Sequence, residues 1–361
     1  MTQARARTRH RGGRDPRGCP TTCAHRLHRP QICHSDRSPD ESGRSEVHPP
    51  QAGISAPASA LWDGLLRSAL VLRPRAAVLI AAAALLAAGA RAPADLPQFE
   101  VAPKSVRQGD CAFVSVRPGE VQPAAGECRW LGKVYSLFPH GDGYRAIIPV
   151  SPDAPAGRGN IVVALQAPGG ETRDTSLPVT IVKRDFGVQN LRMSKQTTRL
   201  YTDPETAQEG KTIHAALEQM GSEQLWQGSF AWPVKGRVST QFGMARSING
   251  QIQYRHRGLD IAAPQGTSVF APADGVVTLV REGFKLHGKT IVIDHGQGVA
   301  SLYLHLSEII VQEGQRVTRG ERIGRVGATG AATGAHLHWA VYVAGEAVDP
   351  HFWMNLPQTG G

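Results

Sequence analysis

The chain has 361 residues, 41% of them hydrophobic, and a formal net charge of +10 at pH 7. That length accommodates two domains and a substantial core. The charge sits at one end: residues 1–94 hold 14 Lys+Arg against 6 Asp+Glu, and residues 95–361 hold 26 against 24, a balance of +2 that argues against a nucleic-acid partner.

Residues 1–70 form a basic segment rich in Arg, Pro, Ser and His, too poor in large apolar residues to offset its ordering entropy, and are expected to be disordered. Cys19, Cys23 and Cys33 lie among His25, His28 and His34, but their spacing fits no common zinc pattern. Residues 71–94 read as a signal peptide. Arg73 and Arg75 precede the apolar run Ala76–Ala88, and Ala92-Pro93-Ala94 offers a cleavage site before Asp95, with Ala90 as another. The run is short for a membrane span, and no cysteine follows to carry a lipid. Export to the periplasm or cell envelope is expected, with only transient membrane contact through the signal. A signal so far into the chain implies a true start near Val71 or Leu72 and an over-extended gene start before it. The competing reading is a long cytoplasmic tail on an uncleaved anchor.

Residues 95–184 carry short β-runs with frequent turn signals, among them Cys111–Val116, Tyr144–Val150, Asn160–Leu165 and Ser176–Val182. Their spacing predicts a small all-β sandwich or barrel. Cys111 and Cys128 are the only cysteines after the signal, and in an oxidising compartment such a pair is expected to close a disulfide; two buried free thiols are the alternative. His140, in a turn, reads as solvated. Residues 185–231 form a linker. Asp203 is placed as a helix N-cap with Pro204 in the first turn, and Ile213, Leu217 and Met220 give an apolar stripe. One short helix ending near Gly221 is expected, packed against a domain or laid across the groove that the next domain carries.

Residues 232–356 form the C-terminal domain, followed by a tail at 357–361. Strands are expected at Arg237–Phe242, Gly275–Val280, Thr290–Asp294, Ala300–His305, Glu321–Val326 and His338–Val343, with no helix longer than two turns. The fold class is therefore mainly β: a sandwich, a short connecting helix and an antiparallel β-domain. The turns around Gly314 and Gly320 also resemble biotin- and lipoyl-carrier hairpins, but no lysine follows Lys289 to be modified.

Two motifs in this domain point to chemistry. In His336-Leu337-His338-Trp339 the two imidazoles share one strand face, about 7 Å apart along the chain. His256-Arg257-Gly258-Leu259-Asp260 adds an imidazole and a carboxylate where Gly258 argues against a helix. Catalytic zinc sites commonly take three protein ligands and leave a position for water. His256, Asp260 and one histidine of the pair would meet that requirement. Tyr303 and His305 are expected on one face of their strand, with Leu302, Leu304 and Leu306 on the other. Elsewhere His295 reads as structural or supporting, His287 as solvated, and Asp349 with His351 as a closing turn.

These motifs, their order, and the intervening Gly275-Val276-Val277, Ile293-Asp294-His295-Gly296 and Tyr303-Leu304-His305-Leu306-Ser307 resemble the lysostaphin/LytM-type zinc metallopeptidases, bacterial cell-wall endopeptidases. The resemblance runs from about Trp232 to Phe352. It implies one Zn2+ per chain on His256, Asp260 and His338, with His305 and His336 as catalytic histidines. It further implies a zinc-activated water attacking peptide cross-links of peptidoglycan, whose stem peptides would be the partner. No obligate protein partner is evident. Arg246, Tyr254 and Tyr303 are candidate contacts along the substrate groove. Residues 95–184 resemble the immunoglobulin-like domain that precedes the peptidase in several exported relatives. The alternative function is a non-catalytic, wall-binding regulator of a separate amidase.

Overall fold

The computed structural model describes residues 96–119, 122–219 and 221–356, with backbone alone at 251–253. The expected basic segment with its three cysteines, the signal peptide and the tail at 357–361 lie outside the described residues, as does Met220.

The first nine strands are β1 (Gln98–Ala102), β2 (Ser105–Arg107), β3 (Cys111–Arg117), β4 (Ala125–Trp130), β5 (Lys133–Ser136), β6 (Phe138–His140), β7 (Gly143–Pro149), β8 (Gly157–Gln166) and β9 (Thr172–Val182). They make two sheets, in the orders β1-β3-β7-β6 and β2-β9-β8-β4-β5. Alternate residues of β3, Ala112, Val114 and Val116, are buried, and they share one core with Ile161, Val163, Val179 and Ile181 of the other sheet. This is the sandwich that a period-two pattern demands.

The expected disulfide does not form: Cys111 and Cys128 are both buried free thiols. They belong to different cores, Cys128 to the sandwich interior and Cys111 to the cluster behind the C-terminal sheet. Burial pushes the Cys128 thiol up to about 12 and Cys111 well above its usual value, so neither is a ready thiolate.

The linker holds strand β10 (Val188–Leu191) and two helices, α1 (Lys195–Leu200) and α2 (Pro204–Leu217), where one was expected. Helix α1 buries no residue, so no apolar period betrays it; Ser194 caps it by accepting from the Thr197 amide. Helix α2 starts as the sequence indicates, with Asp203 accepting from Glu205 N at 2.9 Å.

The C-terminal part contains β11 (Arg237–Thr240), β12 (Ala245–Ile248), β13 (Gln251–Arg255), β14 (Leu259–Ala262), β15 (Ser268–Phe270), β16 (Gly275–Phe284) and β17 (Gly288–Gly296). It continues through β18 (Val299–Leu306), β19 (Glu308–Ile309), β20 (Arg316–Val317), β21 (Arg322–Arg325), β22 (His336–Val343), β23 (Glu346–Val348) and α3 (Pro350–Met354). The central sheet runs β11-β14-β22-β18-β17-β16-β20, with β23 beside β22. Its strand pairs are antiparallel. Strand β22 is buried at every residue after His336, so both faces of the sheet centre are covered. Ile213, Ala216 and Leu217 of α2 join the core on one side; Trp226, Phe230 and Trp353 belong to the same cluster. Two small sheets, β10-β12-β13 and β15-β21-β19, flank it.

The two halves are joined through side chains. Arg145 of β7 donates to Gln224 Oε1 at 2.8 Å and to Gln297 Oε1 at 2.5 Å, with its guanidinium over Trp226. Ile147 of β7 and Cys111 of β3 enter the core of the C-terminal sheet.

Candidate metal centre and groove

Register brings the distant motifs together. Strand β14 pairs with β22 so that Asp260 lies directly opposite His338 and Ala262 opposite His336. Opposed residues in an antiparallel pair have Cβ atoms about 5 Å apart, so a carboxylate and an imidazole 78 positions apart become neighbours.

His256 reaches the same point from the loop before β14. Its backbone is fixed to the turn before β12, with Gly243 N on His256 O at 2.7 Å and His256 N on Met244 O at 2.9 Å. The chain then crosses β22 at Gly258. A Cβ there would stand 2.5 Å from Trp339 O and 3.0 Å from His338 Cε1. Gly258→Ala should therefore cost about 1–3 kcal/mol by overpacking. The melting temperature should fall by a few degrees and metal affinity with it; calorimetry and chelator competition read both, and unchanged affinity would separate this crossing from the site.

Three donor atoms converge. His256 Nε2 lies 2.9 Å from Asp260 Oδ1 and 3.0 Å from His338 Nδ1, and His338 Nδ1 lies 2.9 Å from Asp260 Oδ1. His256 Nδ1 faces Gln241 O at 2.9 Å, and a carbonyl accepts only from a protonated nitrogen. A neutral His256 thus turns its bare Nε2 toward an ionised carboxylate oxygen. One proton on His338 Nδ1 cannot bridge all three close pairs. Tetrahedral zinc with bonds of 2.0–2.1 Å needs ligand atoms about 3.3 Å apart, close to this triangle. The donor set therefore fits zinc, and among the described residues it is the one cluster of three or more His, Cys, Asp or Glu that can hold a metal.

The ionisation of the cluster agrees. Burial pushes the Asp260 carboxyl up, but His256 and His338 more than reverse this and hold it well below the usual carboxylate range. Burial lowers His338 to about 4, which keeps its nitrogen available as a neutral ligand.

His305 and His336 stand beside the triangle. Their ring centroids are 4.9 Å apart, and His336 Nε2 is 3.8 Å from Asp260 Oδ1. His305 Nδ1 donates to Thr329 O and His336 Nδ1 to Gly334 O, both at 2.8 Å, which leaves each Nε2 as a bare acceptor. Burial first, then the neighbouring His336 and His338, push His305 down to about 3.

His305 reaches this position by breaking the strand rule. Its φ is +63°, and the pairing of β17 with β18 slips between Lys289 opposite Leu306 and Ile291 opposite Tyr303. Such a bulge re-aims one side chain. The faces of β18 are accordingly not as the alternation implies. Leu302, Leu304 and His305 line the groove, whereas Tyr303 is fully buried on the other side with its hydroxyl 2.8 Å from Ser301 Oγ. Tyr303 is therefore no groove contact. Positive φ at a non-glycine residue is uncommon and concentrates at functional sites.

The groove is a cleft of about 550 Å³ whose lining includes all five of these residues, and helix α2 supplies part of its wall through Gly210, Ile213, His214 and Leu217. The helix thus borders the cleft while packing its apolar side into the core. Arg246 and Tyr254 line it as well, but the Arg246 guanidinium is bonded to Asp260 Oδ2. His287, expected to be solvated, donates from Nδ1 to Glu209 of α2 at 2.9 Å. His295 is fully buried between Asp274 O and Ser301 Oγ, a structural histidine. Asp349 is no mere turn residue: it caps α3 and pairs with Arg184 at 2.7 Å.

Residues 254–350, which contain all five of His256, Asp260, His305, His336 and His338, match the model of peptidase family M23. The chain carries a peptidase family M23 domain. It is 39% identical over 158 residues to peptidoglycan DD-endopeptidase ShyA of Vibrio cholerae, covering 41% of this chain and 36% of that protein. It is 44% identical over 115 residues to DD-carboxypeptidase/endopeptidase Mpg of Neisseria meningitidis, covering 32% and 26%. The chain thus spans only about a quarter to a third of the length of these curated relatives. The crystal structure of a putative peptidase M23 from Pseudomonas aeruginosa aligns over 70% of this chain and 95% of its own, at 28% identity and a TM-score of 0.51. That alignment is too long to be confined to the M23 domain and takes in part of the chain before it.

Proposed function

We propose that this M23 protein is an exported zinc metalloendopeptidase that hydrolyses peptide cross-links of bacterial peptidoglycan. The observation that carries the reading is the meeting of His256 Nε2, Asp260 Oδ1 and His338 Nδ1 within 3.0 Å of one another, with two acceptor imidazoles alongside. The wall substrate rests on the peptidoglycan enzymes to which the chain is similar. Export rests on the signal read at 71–94.

His256, Asp260 and His338 would hold the ion. Zinc bound there supplies a Lewis acid that polarises a carbonyl and acidifies water near neutral pH. The chain's own residues do the rest. His336 holds its Nε2 3.8 Å from Asp260 Oδ1 and the His305 ring stands 4.9 Å from that of His336, so one can take the proton of the attacking water and return it to the leaving amine. The other, when protonated, steadies charge on the carbonyl oxygen. Burial keeps His305 neutral at working pH, as an acceptor must be. Leu302, Leu304 and Leu217 make the surrounding wall apolar, which strengthens these polar contacts by excluding water.

The test is digestion of purified sacculi, with and without a zinc chelator, and identification of the released fragments by mass. Cross-link fragments that vanish with chelator and return with zinc support the reading; release that ignores the chelator defeats it. His336→Ala should retain zinc while turnover drops about 10²–10⁴-fold, the usual range for losing a positioned proton-transfer group. Zinc content and kcat on the same preparation decide this, and full turnover would remove His336 from the mechanism.

A further inference from the structure

We propose that Arg246 is the positioning residue of Asp260: it occupies Oδ2 and leaves Oδ1 alone to face the metal site. The inference rests on the zinc site of the reading above.

The carboxylate is divided between two tasks. Oδ1 faces both His256 Nε2 and His338 Nδ1 at 2.9 Å, whereas Oδ2 accepts from Arg246 Nη2. The Asp260 and Arg246 side chains are only 9% and 12% exposed, so neither oxygen is free to exchange its partner for water.

The arginine is itself held on both sides. It lies in the middle strand of β10-β12-β13, with Gln189 opposite it on β10 and Tyr254 opposite it on β13. Both register partners bond it: Nε donates to Gln189 Oε1 at 2.9 Å and Nη1 to Tyr254 Oη at 3.2 Å. Gln189 is anchored in turn to Thr240 Oγ1 at 2.8 Å, and the Tyr254 ring stacks on Tyr201 with centroids 5.6 Å apart. Three directed donors on one rigid plane fix where Nη2 points, which a lysine ammonium on a flexible stem cannot reproduce. Outer partners of this kind orient metal-binding carboxylates, and their loss typically costs 10–100-fold in affinity or activity. Two of the supports, Gln189 and Tyr201, come from the linker, so the segment before the M23 domain helps to set the geometry of the centre.

The experiment compares full-length wild type, Arg246→Gln, Arg246→Lys and Gln189→Ala, each loaded with zinc. Zinc K-edge absorption reads the ligand shell, chelator competition the affinity, and steady-state hydrolysis the split between kcat and KM. In Arg246→Gln the released Oδ2 should join the shell, adding about one oxygen, and kcat should fall about 10–100-fold with KM within about twofold. Arg246→Lys and Gln189→Ala should shift in the same direction by less, and they decide the matter if circular dichroism shows Arg246→Gln unfolded. An unchanged zinc shell and affinity in all three variants would reduce Arg246 to a packing role. A raised KM at constant kcat would make it a substrate contact instead. Wild type that takes up no zinc would refute the metal site itself, a result distinguishable from both and fatal to this proposal as well.

Discussion

His338→Ala should abolish both zinc binding and hydrolysis. A four-ligand structural zinc is held by about 10–16 kcal/mol, so one ligand accounts for roughly 2.5–4 kcal/mol, or about a hundredfold to just under a thousandfold in affinity. The loss here goes further, because His338 is also the cross-strand partner of Asp260 and 3.0 Å from His256. Truncation leaves the carboxylate with fewer donors in a buried place, where an unpaired charge is costly. Dialysed protein assayed for zinc should read near zero against one per chain in wild type, and fragment release from sacculi should fall below detection. A variant that keeps stoichiometric zinc would sink the assignment of this donor set.

Glu209→Ala should be strongly destabilising although it lies outside the centre. The carboxylate, buried on α2, accepts from the amides of Lys285, Leu286 and His287 and from His287 Nδ1. Residues 285–287 close the hairpin of β16 and β17, and His287 O accepts from His305 N at 3.1 Å. One side chain thus satisfies a whole turn and, through it, supports the strand that carries His305. A buried donor left without a partner costs about 1–3 kcal/mol; these four are only part-buried, so the low end applies and we expect roughly 4–5 kcal/mol in total. For a domain of this size that is a melting temperature lower by roughly 10 °C. Turnover should fall too, because the backbone under His305 loses a support.

The same group gives a pH signature. Burial raises the Glu209 carboxyl, but the bonds from His287 and the three amides outweigh it and hold the folded value below 4.5. A carboxyl depressed on folding contributes stability above its unfolded value, and that contribution is lost as pH falls below 4.5 through the folded value. The stability gap between wild type and Glu209→Gln should be widest well above 4.5 and close as the pH falls below it. Urea titrations at several pH values test this, and a gap independent of pH would show that shape rather than charge matters at Glu209.

How much of this is legible in the chain differs from residue to residue. The alternation over Trp339–Val343 announces β22, and it forms the centre of the sheet. Asp203 and Pro204 announce the start of α2, where it begins. Four of the five residues of the centre are nameable because His-x-Gly-x-Asp and His-x-His are short and local. What joins them is not local: the register that sets Asp260 against His338 arises from packing between strands far apart in sequence.

His305 shows the limit most clearly. Period-two reasoning puts it with Tyr303, and a single left-handed residue with a slipped register moves it to the other face. No propensity of histidine signals that turn of the backbone. Strand β10 escapes for a related reason, since its parallel pairing to β12 depends on a neighbour 57 positions on, and Gln189 looks like any linker glutamine. The cysteine pair misleads because parity says nothing about facing, and the two thiols look into separate interiors.

Ile147 and Cys111 reach out of the sandwich into the interior behind the central C-terminal sheet, and Phe113 stacks on Phe352. The two halves are therefore not beads on a string. Severed from its amino-terminal neighbour, the M23 half would turn an oily flank to water, where exposed apolar patches promote clumping. The sandwich is what keeps that flank out of water.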